Sequence, residues 1–179
     1  MQNQIRISSK EDILRESKHT FEEIQTFINS VSEEQINTQK DGKWSILGEF
    51  SHVILSVKPL VSALKLPKMA FMAFGKPNRP SRTFEELAKR YHEKLDAGGV
   101  APKQFLPKED LESKEELLKV WSELTEKYLS GIESHWKEAN LDKHLAPHPL
   151  LGKVTVREML FFTVYHSNYH LQSMKKKVS

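Results

Sequence analysis

The sequence contains no cysteine among its 179 residues. Disulfide bonds, thiolate metal sites and a cysteine nucleophile are therefore excluded. Any thiol chemistry would have to take its sulfur from a small molecule.

Long apolar segments are also missing. The N-terminal stretch MQNQIRISSK is polar and lacks the apolar core of a signal peptide. No apolar run reaches the roughly 20 residues that a membrane span requires. We therefore expect a cytoplasmic protein without a membrane partner.

The excess of positive charge is small. The chain carries 27 basic and 24 acidic residues, which gives a formal net charge of +3. Apart from the lysine triplet at residues 175–177, the two signs are interspersed along the chain. This balance is too mild to indicate a nucleic acid or an anionic membrane as the main partner, and we expect a small-molecule substrate instead.

Helical periodicity dominates what is present. Apolar residues recur at helical intervals in four long segments, at residues 9–31, 43–64, 113–140 and 155–177. Pro59 is expected to bend the second of these helices or to end it early. A shorter helix is predicted at residues 83–99, and no segment is predicted to form a strand. The predicted fold is all-α, an antiparallel four-helix bundle formed by one domain over residues 1–179, with a crossover excursion and the short extra helix.

Helix ends are marked by capping residues. Serine or threonine stands where each of four predicted helices begins, at Ser9, Thr83, Ser113 and Thr155. Glu116 and Glu158 follow the last two of these at the spacing of a capping box. The lysine triplet suits the C-terminus of the last helix, because cations are favourable there.

An irregular segment at residues 65–82 combines prolines and basic residues with four large apolar side chains, those of Met69, Phe71, Met72 and Phe74. We expect these side chains to cap one end of the bundle. Two alternatives remain open, namely the wall of a ligand pocket and the interface of a homodimer.

Two pairs of histidines stand four residues apart. His144 and His148 lie in a stretch where Pro147 and Pro149 disfavour helix, so a loop is predicted there and the two imidazoles need not face the same way. His166 and His170 lie on the last predicted helix instead. Positions four apart on a helix are separated by about 40° around the axis and by one turn along it, so both rings project side by side.

A mononuclear metal site would need a third ligand from another helix, and His52 is the best candidate. It lies in the most apolar helix, where an imidazole is costly to bury without partners. The alternative is that His52 only hydrogen-bonds a backbone carbonyl or Glu49. Similarly, His166 and His170 could be half-buried packing residues. Three imidazoles would suit Zn, Ni or Fe, among which imidazole does not choose sharply.

The other histidines carry weaker signals. His19, His92 and His135 stand beside charged residues and are expected at the surface or the rim. The loop that bears His148 could fold over the mouth of the bundle, which would make His148 a fourth contact to an ion. Ser167 stands where the H-E-x-x-H protease motif has its glutamate, so that route to peptide hydrolysis lacks its base.

Two blocks of the sequence resemble a known family. KWSILGEFSHV, with Trp44 eight residues before His52, is similar to the second-helix signature of the DinB/YfiT-like superfamily. HPLLGKVTVREMLFFTVYHSNYHLQSM is similar to the final helix of its DUF1569 subgroup, in which a His-Pro-x-x-Gly-x-x-Thr lead-in precedes an H-x-x-x-H helix and a glutamine, here Gln172.

The resemblance implies an antiparallel four-helix bundle with one divalent metal ion held by His52, His166 and His170. Members of the superfamily include enzymes that use the metal to activate a low-molecular-weight thiol. The leading hypothesis is therefore the transfer of such a thiol to an electrophilic small molecule. The alternatives are a metal-dependent hydrolase that uses bound water, and a non-catalytic bundle that binds a ligand or partner.

Four further residues are candidates for orienting a proton or the substrate. They are Glu49, His148, Tyr165 and Tyr169. Each could equally be an ordinary packing or surface residue, because the sequence does not show which of them face the three histidines.

Overall fold

The computed structural model describes residues 7–39, 42–108 and 110–178. Its elements are, in chain order, α1 (Lys10–Ser30), α2 (Glu33–Asn37), α3 (Ile46–Leu64), α4 (Phe84–Asp96), α5 (Lys114–His135), β1 (Leu145–His148), β2 (Gly152–Thr155) and α6 (Val156–Val178). Short 3₁₀ helices occupy Lys68–Phe74, Lys103–Phe105 and Glu138–Asn140. The five-residue helix α2 was not predicted from the sequence.

The four long helices form a four-helix bundle, as the sequence predicts, in which two neighbour pairs are antiparallel and two are parallel. Each of them packs against two others, in the cyclic order α1, α5, α3, α6. Helices α1 and α5 are antiparallel, since Ser17 of α1 lies beside Tyr128 of α5 and Val31 lies beside Lys114. Helix α6 is likewise antiparallel to α3.

The two remaining neighbour pairs are parallel. Near the start of both α3 and α5, Phe50 packs against Trp121 with ring centres 5.7 Å apart. Near the end of both helices, the Trp136 indole donates to the Leu64 carbonyl. A parallel pair cannot be joined by a tight turn. The long connection of residues 65–113 runs from the end of α3 back to the start of α5, and α4 within it packs on α6. This is the predicted crossover excursion with its short extra helix.

The predicted N-caps are present. The side chains of Ser9, Thr83 and Ser113 each accept a hydrogen bond from the third helical N–H, and each belongs to a full capping box. Thr155 and Glu158 form the same reciprocal pair at the start of α6. These caps satisfy N–H groups that the first helical turn leaves without partners.

One predicted helix end differs from the structure, and one of the two effects expected of Pro59 is absent. Helix α3 does not end early at Pro59 but continues to Leu64, where the predicted segment also ends. Helix α5 ends at His135 rather than at residue 140, because Trp136 leaves the helical conformation and buries its ring in the core. Residues 138–140 then form a separate 3₁₀ turn.

The stretch before α6 is a β-hairpin, so the prediction of a loop without strands is wrong here. Strands β1 and β2 are antiparallel, with Leu145 opposite Thr155 and His148 opposite Gly152. Pro147 is tolerated because each strand of a two-stranded ribbon has a free edge that needs no N–H donor. Gly152 adopts a φ of 74°, which favours glycine because it has no Cβ.

Glu158 ties the crossover to α6. Its side chain is fully buried and accepts hydrogen bonds from the guanidinium groups of Arg79 and Arg82. Burial disfavours the charged carboxylate, but these bonds and those from backbone N–H groups outweigh it and hold the pKa of Glu158 below its ordinary value. The predicted capping residue therefore also anchors the segment that carries Phe71 and Phe74.

Helix α3 is long and apolar enough to pass a length-and-composition test for a membrane span, but 61% of its most apolar window is buried inside the bundle. Among its twelve buried residues are Phe50, Val53, Val57 and Val61, which pack in the core. This burial is the pattern of a central core helix.

Candidate metal centre

Three histidines converge between α3 and α6. His52 lies on α3, and His166 and His170 lie one turn apart on α6. One nitrogen of each ring lies within 4.8 Å of the corresponding nitrogens of the other two. The Nε2 atoms of His52 and His166 are 3.2 Å apart. The antiparallel packing of the two helices brings together residues more than 110 positions apart in sequence.

The ring of His52 is oriented by a backbone group. Its Nδ1 lies 2.6 Å from the carbonyl oxygen of Phe105, and a carbonyl can only accept, so Nδ1 carries the proton. Its Nε2 therefore presents a lone pair towards His166. The Trp44 ring packs 4.9 Å away between centres and limits the rotation of the imidazole. The sequence left open the alternative that His52 only hydrogen-bonds a backbone carbonyl. This hydrogen bond is present, but it leaves Nε2 available.

His170 is oriented by Glu49. Its Nδ1 lies 3.0 Å from Oε2 of Glu49, while Oε1 of Glu49 accepts from Ser173 at 2.9 Å and from Lys177. Burial disfavours the Glu49 carboxylate, but the hydrogen bonds from His170 and Lys177 hold its pKa below the ordinary value. The ionised carboxylate fixes the Nδ1–H form of His170, and Nε2 is left as the ligand atom.

The buried histidines are neutral at pH 7. Burial lowers the pKa of His52 to about 4, and burial also holds the pKa of His166 well below its usual range. Neutral imidazole is the form that binds metal ions.

The donor set fits a single divalent ion. Two nitrogens bound at about 2.0–2.1 Å to one tetrahedral ion lie roughly 3.3 Å apart. The observed separation of the His52 and His166 Nε2 atoms, 3.2 Å, agrees with that value. Without an ion, the same pair would be an N–H···N hydrogen bond with His166 as donor, because His52 has its proton on Nδ1.

An apolar cavity of about 340 Å³ adjoins the three histidines. His52 and His166 form part of its wall, and apolar side chains form most of the rest, the large ones including Leu60, Phe71, Phe74, Leu150, Met159 and Phe162. Within the described part of the chain, the lining includes no Asp, Glu, Lys or Arg. The cavity can therefore hold a small uncharged molecule next to these histidines.

Residues 65–82 divide between two roles. Phe71 is buried and lines the cavity together with Phe74, whereas Met69 and Met72 are 78% and 66% exposed. The two phenylalanines match the pocket-wall alternative considered for this segment. The homodimer stays a prediction.

The four candidate orienting residues lie in different places. Glu49 contacts His170, and both of its oxygens are occupied. His148 lines the cavity from the end of β1, in agreement with a hairpin that covers this end of the bundle. Tyr165 hydrogen-bonds His92, and Tyr169 is 41% exposed; both lie outside the cavity lining.

Two contributions to the site were missed by the sequence interpretation. The Phe105 carbonyl orients His52, and a backbone carbonyl leaves no signature in a sequence. Tyr91 of α4 lines the cavity with its ring centre 6.1 Å from that of His166. A tyrosine on the apolar face of a short helix could have been proposed, but its pattern is the same as that of a core residue.

The remaining histidines lie away from the three predicted ligands. His19 and His135 are exposed, as expected. His92 is partly buried beside Tyr165 at the rim. His144 bonds the Asn140 carbonyl through Nδ1 at 3.0 Å and packs against Trp136, so it is not part of the three-histidine cluster.

The carboxylate of Glu49 is expected to strengthen metal binding through His170. Glu49→Ala should weaken the affinity for Zn²⁺ by about 10–100-fold, as is usual when the hydrogen-bond partner of a ligand is removed. Glu49→Gln should have a smaller effect, because its carbonyl still accepts from Nδ1. Ser173→Ala, which removes a bond to Glu49 but none to His170, is the matched control. Competition with a chromophoric chelator measures the affinities, and equal values for Glu49→Ala and the control would contradict this role.

Comparison with known proteins identifies the family. A sequence profile of the DinB superfamily matches residues 17–174, and the chain therefore belongs to this superfamily. The assignment to the DUF1569 subgroup stays a prediction. No curated protein matches the sequence significantly.

Two solved structures share the fold at low sequence identity. YfiT from Bacillus subtilis, described as "a probable metal-dependent hydrolase with an unusual four-helix bundle topology", superposes with a TM-score of 0.61 at 14% identity, covering 99% of this chain and 91% of its own. TT2238, described as a four-helix bundle protein, gives a TM-score of 0.54 at 12% identity, covering 94% of this chain and 99% of its own. At these identities the likeness concerns the fold alone.

Proposed function

We propose that this chain is a metal-dependent enzyme in which His52, His166 and His170 hold one divalent ion and a small nucleophile is activated there for attack on an electrophilic substrate. One observation carries the proposal. The facing Nε2 atoms of His52 and His166, 3.2 Å apart, belong to rings that also form the wall of an apolar cavity. Zn, Ni and Fe all suit three imidazole ligands.

The protein groups have separate tasks in this proposal. Phe105 and Glu49 fix the rings of His52 and His170, so that both Nε2 atoms face the same point. The apolar lining binds the substrate and excludes water from it. A bound divalent ion would lower the pKa of a coordinated thiol or water, so that a nucleophile is available near neutral pH.

A low-molecular-weight thiol is the first candidate nucleophile. The chain has no cysteine, so a sulfur nucleophile would have to be a cosubstrate. In this reaction the thiol loses its proton to solvent, its sulfur forms a bond to an electrophilic carbon of the substrate, and the displaced group leaves with the electron pair of the bond that breaks.

Water is the second candidate, and the cavity favours it. Cosubstrate thiols with charged groups would need charged partners, whereas the described lining has none. Hydrolysis needs no such partners, because water requires only the open positions at the ion. The description of YfiT, a neighbour in fold, is also that of a hydrolase.

Turnover assays can separate these candidates. Protein loaded with Zn²⁺, Ni²⁺ or Fe²⁺ should be given an aryl halide with a panel of small thiols, and separately an uncharged ester with water as the only nucleophile. Activity in either assay should fall at least about 100-fold in His166→Ala and remain in the control His19→Ala. Thiol-dependent turnover supports a transferase, and turnover without thiol supports a hydrolase. No turnover with any metal in either assay would contradict the proposal and favour a non-catalytic binding module.

A further inference from the structure

The hairpin turn fixes the proton position on His148. Its Nδ1 accepts hydrogen bonds from two backbone N–H groups, those of Leu150 and Leu151, both at 3.1 Å. Backbone N–H groups only donate, so Nδ1 must present its lone pair to them. The neutral ring therefore carries its proton on Nε2.

His148 remains in this neutral form at pH 7. Burial lowers its pKa to about 4. In addition, a protonated ring would carry a hydrogen on Nδ1 that faces the two N–H groups of the turn, and two donors facing each other repel. The ring is held between aromatic neighbours, with its centre 4.2 Å from that of Phe162.

Few hydrogen-bond donors remain free in the cavity. Ser56 and Thr163 donate to backbone carbonyls of their own helices, and His52 donates to Phe105. In the described part of the chain, no protein group accepts from Nε2 of His148 or from the hydroxyl of Tyr91, although both rings line the cavity. Neither atom is among the buried, unpartnered side-chain atoms of the described residues, so both are accessible from the cavity. A ligand that displaces water there without offering an acceptor would leave these donors unsatisfied.

We propose that the cavity binds an uncharged, largely apolar molecule with an acceptor oxygen, such as a ketone or an ester, and that the Nε2–H group of His148 donates to this oxygen. This inference rests on the proposed function in one respect, since the bound molecule would be the substrate of the adjoining metal centre. When the ion is removed, anionic molecules are disfavoured, because the lining offers no cationic side chain to replace their hydration. His148 is then a substrate-binding donor rather than a fourth metal ligand, because its Nε2 lone pair is absent.

Two substitutions distinguish the role of Nδ1 from that of Nε2. In His148→Asn the side-chain oxygen can take the place of Nδ1 and accept from the turn, but no group replaces Nε2–H. In His148→Gln the amide N–H can take the place of Nε2–H, but the turn loses its acceptor. We expect His148→Asn to retain the wild-type melting temperature and His148→Gln to lower it.

Ligand binding tests the proposal independently of turnover. Dissociation constants of acetophenone, ethylbenzene and benzoate should be measured by NMR titration on the protein as purified and again after treatment with a chelator. Relative to ethylbenzene, the affinity for acetophenone should fall roughly 3- to 10-fold in His148→Asn and less in His148→Gln, as expected for one hydrogen bond. Benzoate should bind more weakly than acetophenone in the chelator-treated protein. An unchanged acetophenone-to-ethylbenzene ratio in a folded His148→Asn variant would overturn the proposal.

Histidine ring ¹⁵N spectra of the wild-type protein give a second measurement that needs no variant. They should show protonated Nε2 and unprotonated Nδ1 for His148 at pH 7, and the Nε2–H signal should shift with acetophenone but not with ethylbenzene. The opposite tautomer, or no shift, would also overturn the proposal. If the wild-type protein turns over substrate but its acetophenone-to-ethylbenzene ratio equals that of His148→Asn, only this inference is refuted. If the ratio depends on His148 in the chelator-treated protein but no turnover is found, only the proposed enzyme is refuted.

Discussion

His52→Ala and His170→Ala are each expected to abolish stoichiometric metal binding. Each substitution removes one of three converging imidazoles, and the remaining pair would leave the ion mostly to water. Elemental analysis of untagged protein measures the metal content, since an affinity tag would add histidines. Wild-type protein should contain about one ion per chain, and both variants should contain nearly none.

His19→Ala and His135→Ala are the matched controls for this experiment. Both side chains are exposed and lie on helices, so their removal changes the histidine count without touching the site. Circular dichroism should show that all four variants keep their helical signal. Equal metal content in the four variants would refute the assignment of the ligands.

Chelation is expected to lower the melting temperature substantially without unfolding the protein. An ion that binds only the folded state stabilises it by about 4 kcal/mol when its free concentration is a thousand times the dissociation constant. For a chain of 179 residues this corresponds to a shift of roughly 10 °C. The bundle should persist at low temperature, because its core of apolar side chains extends well beyond the metal centre.

Thermal denaturation followed by circular dichroism, with and without chelator, measures this shift. In the His52→Ala variant the chelator should have little effect, because the variant has no ion to lose. If the wild-type protein were unfolded by chelator at low temperature, the metal would be structural and the proposed enzyme would lose its main support. An identical melting temperature with and without chelator would argue against a bound ion.

Much of the fold could be predicted because its signals are local. A capping residue such as Ser113 acts on N–H groups within the next turn, and the apolar face of α3 is set by the helical repeat itself. The end of α5 could not be predicted in the same way. Residues 137–140, Lys-Glu-Ala-Asn, are compatible with a helix. The chain nevertheless leaves the helix at Trp136, because the indole ring is buried and donates to the distant Leu64 carbonyl.

The hairpin was missed for a related reason. Pro147 and Pro149 indicate a break in helix, which is correct, but they do not show whether the chain will pair with itself. Pairing depends on Gly152 at positive φ and on the burial of Val154 and Leu151 against the bundle. The prolines predict only a loop around His148, so the sequence does not reveal that the turn fixes its tautomer.

The sequence by itself determined that the chain supplies no cysteine thiolate, that four long helices form, and that His166 and His170 face the same side of one of them. These conclusions follow from composition and from the helical repeat. Only the tertiary structure decided that His52 meets this pair, that Phe105 and Glu49 orient the rings, and that an uncharged cavity adjoins them. Contacts between residues 50 to 130 positions apart depend on the order and direction in which the helices pack, which no local pattern encodes.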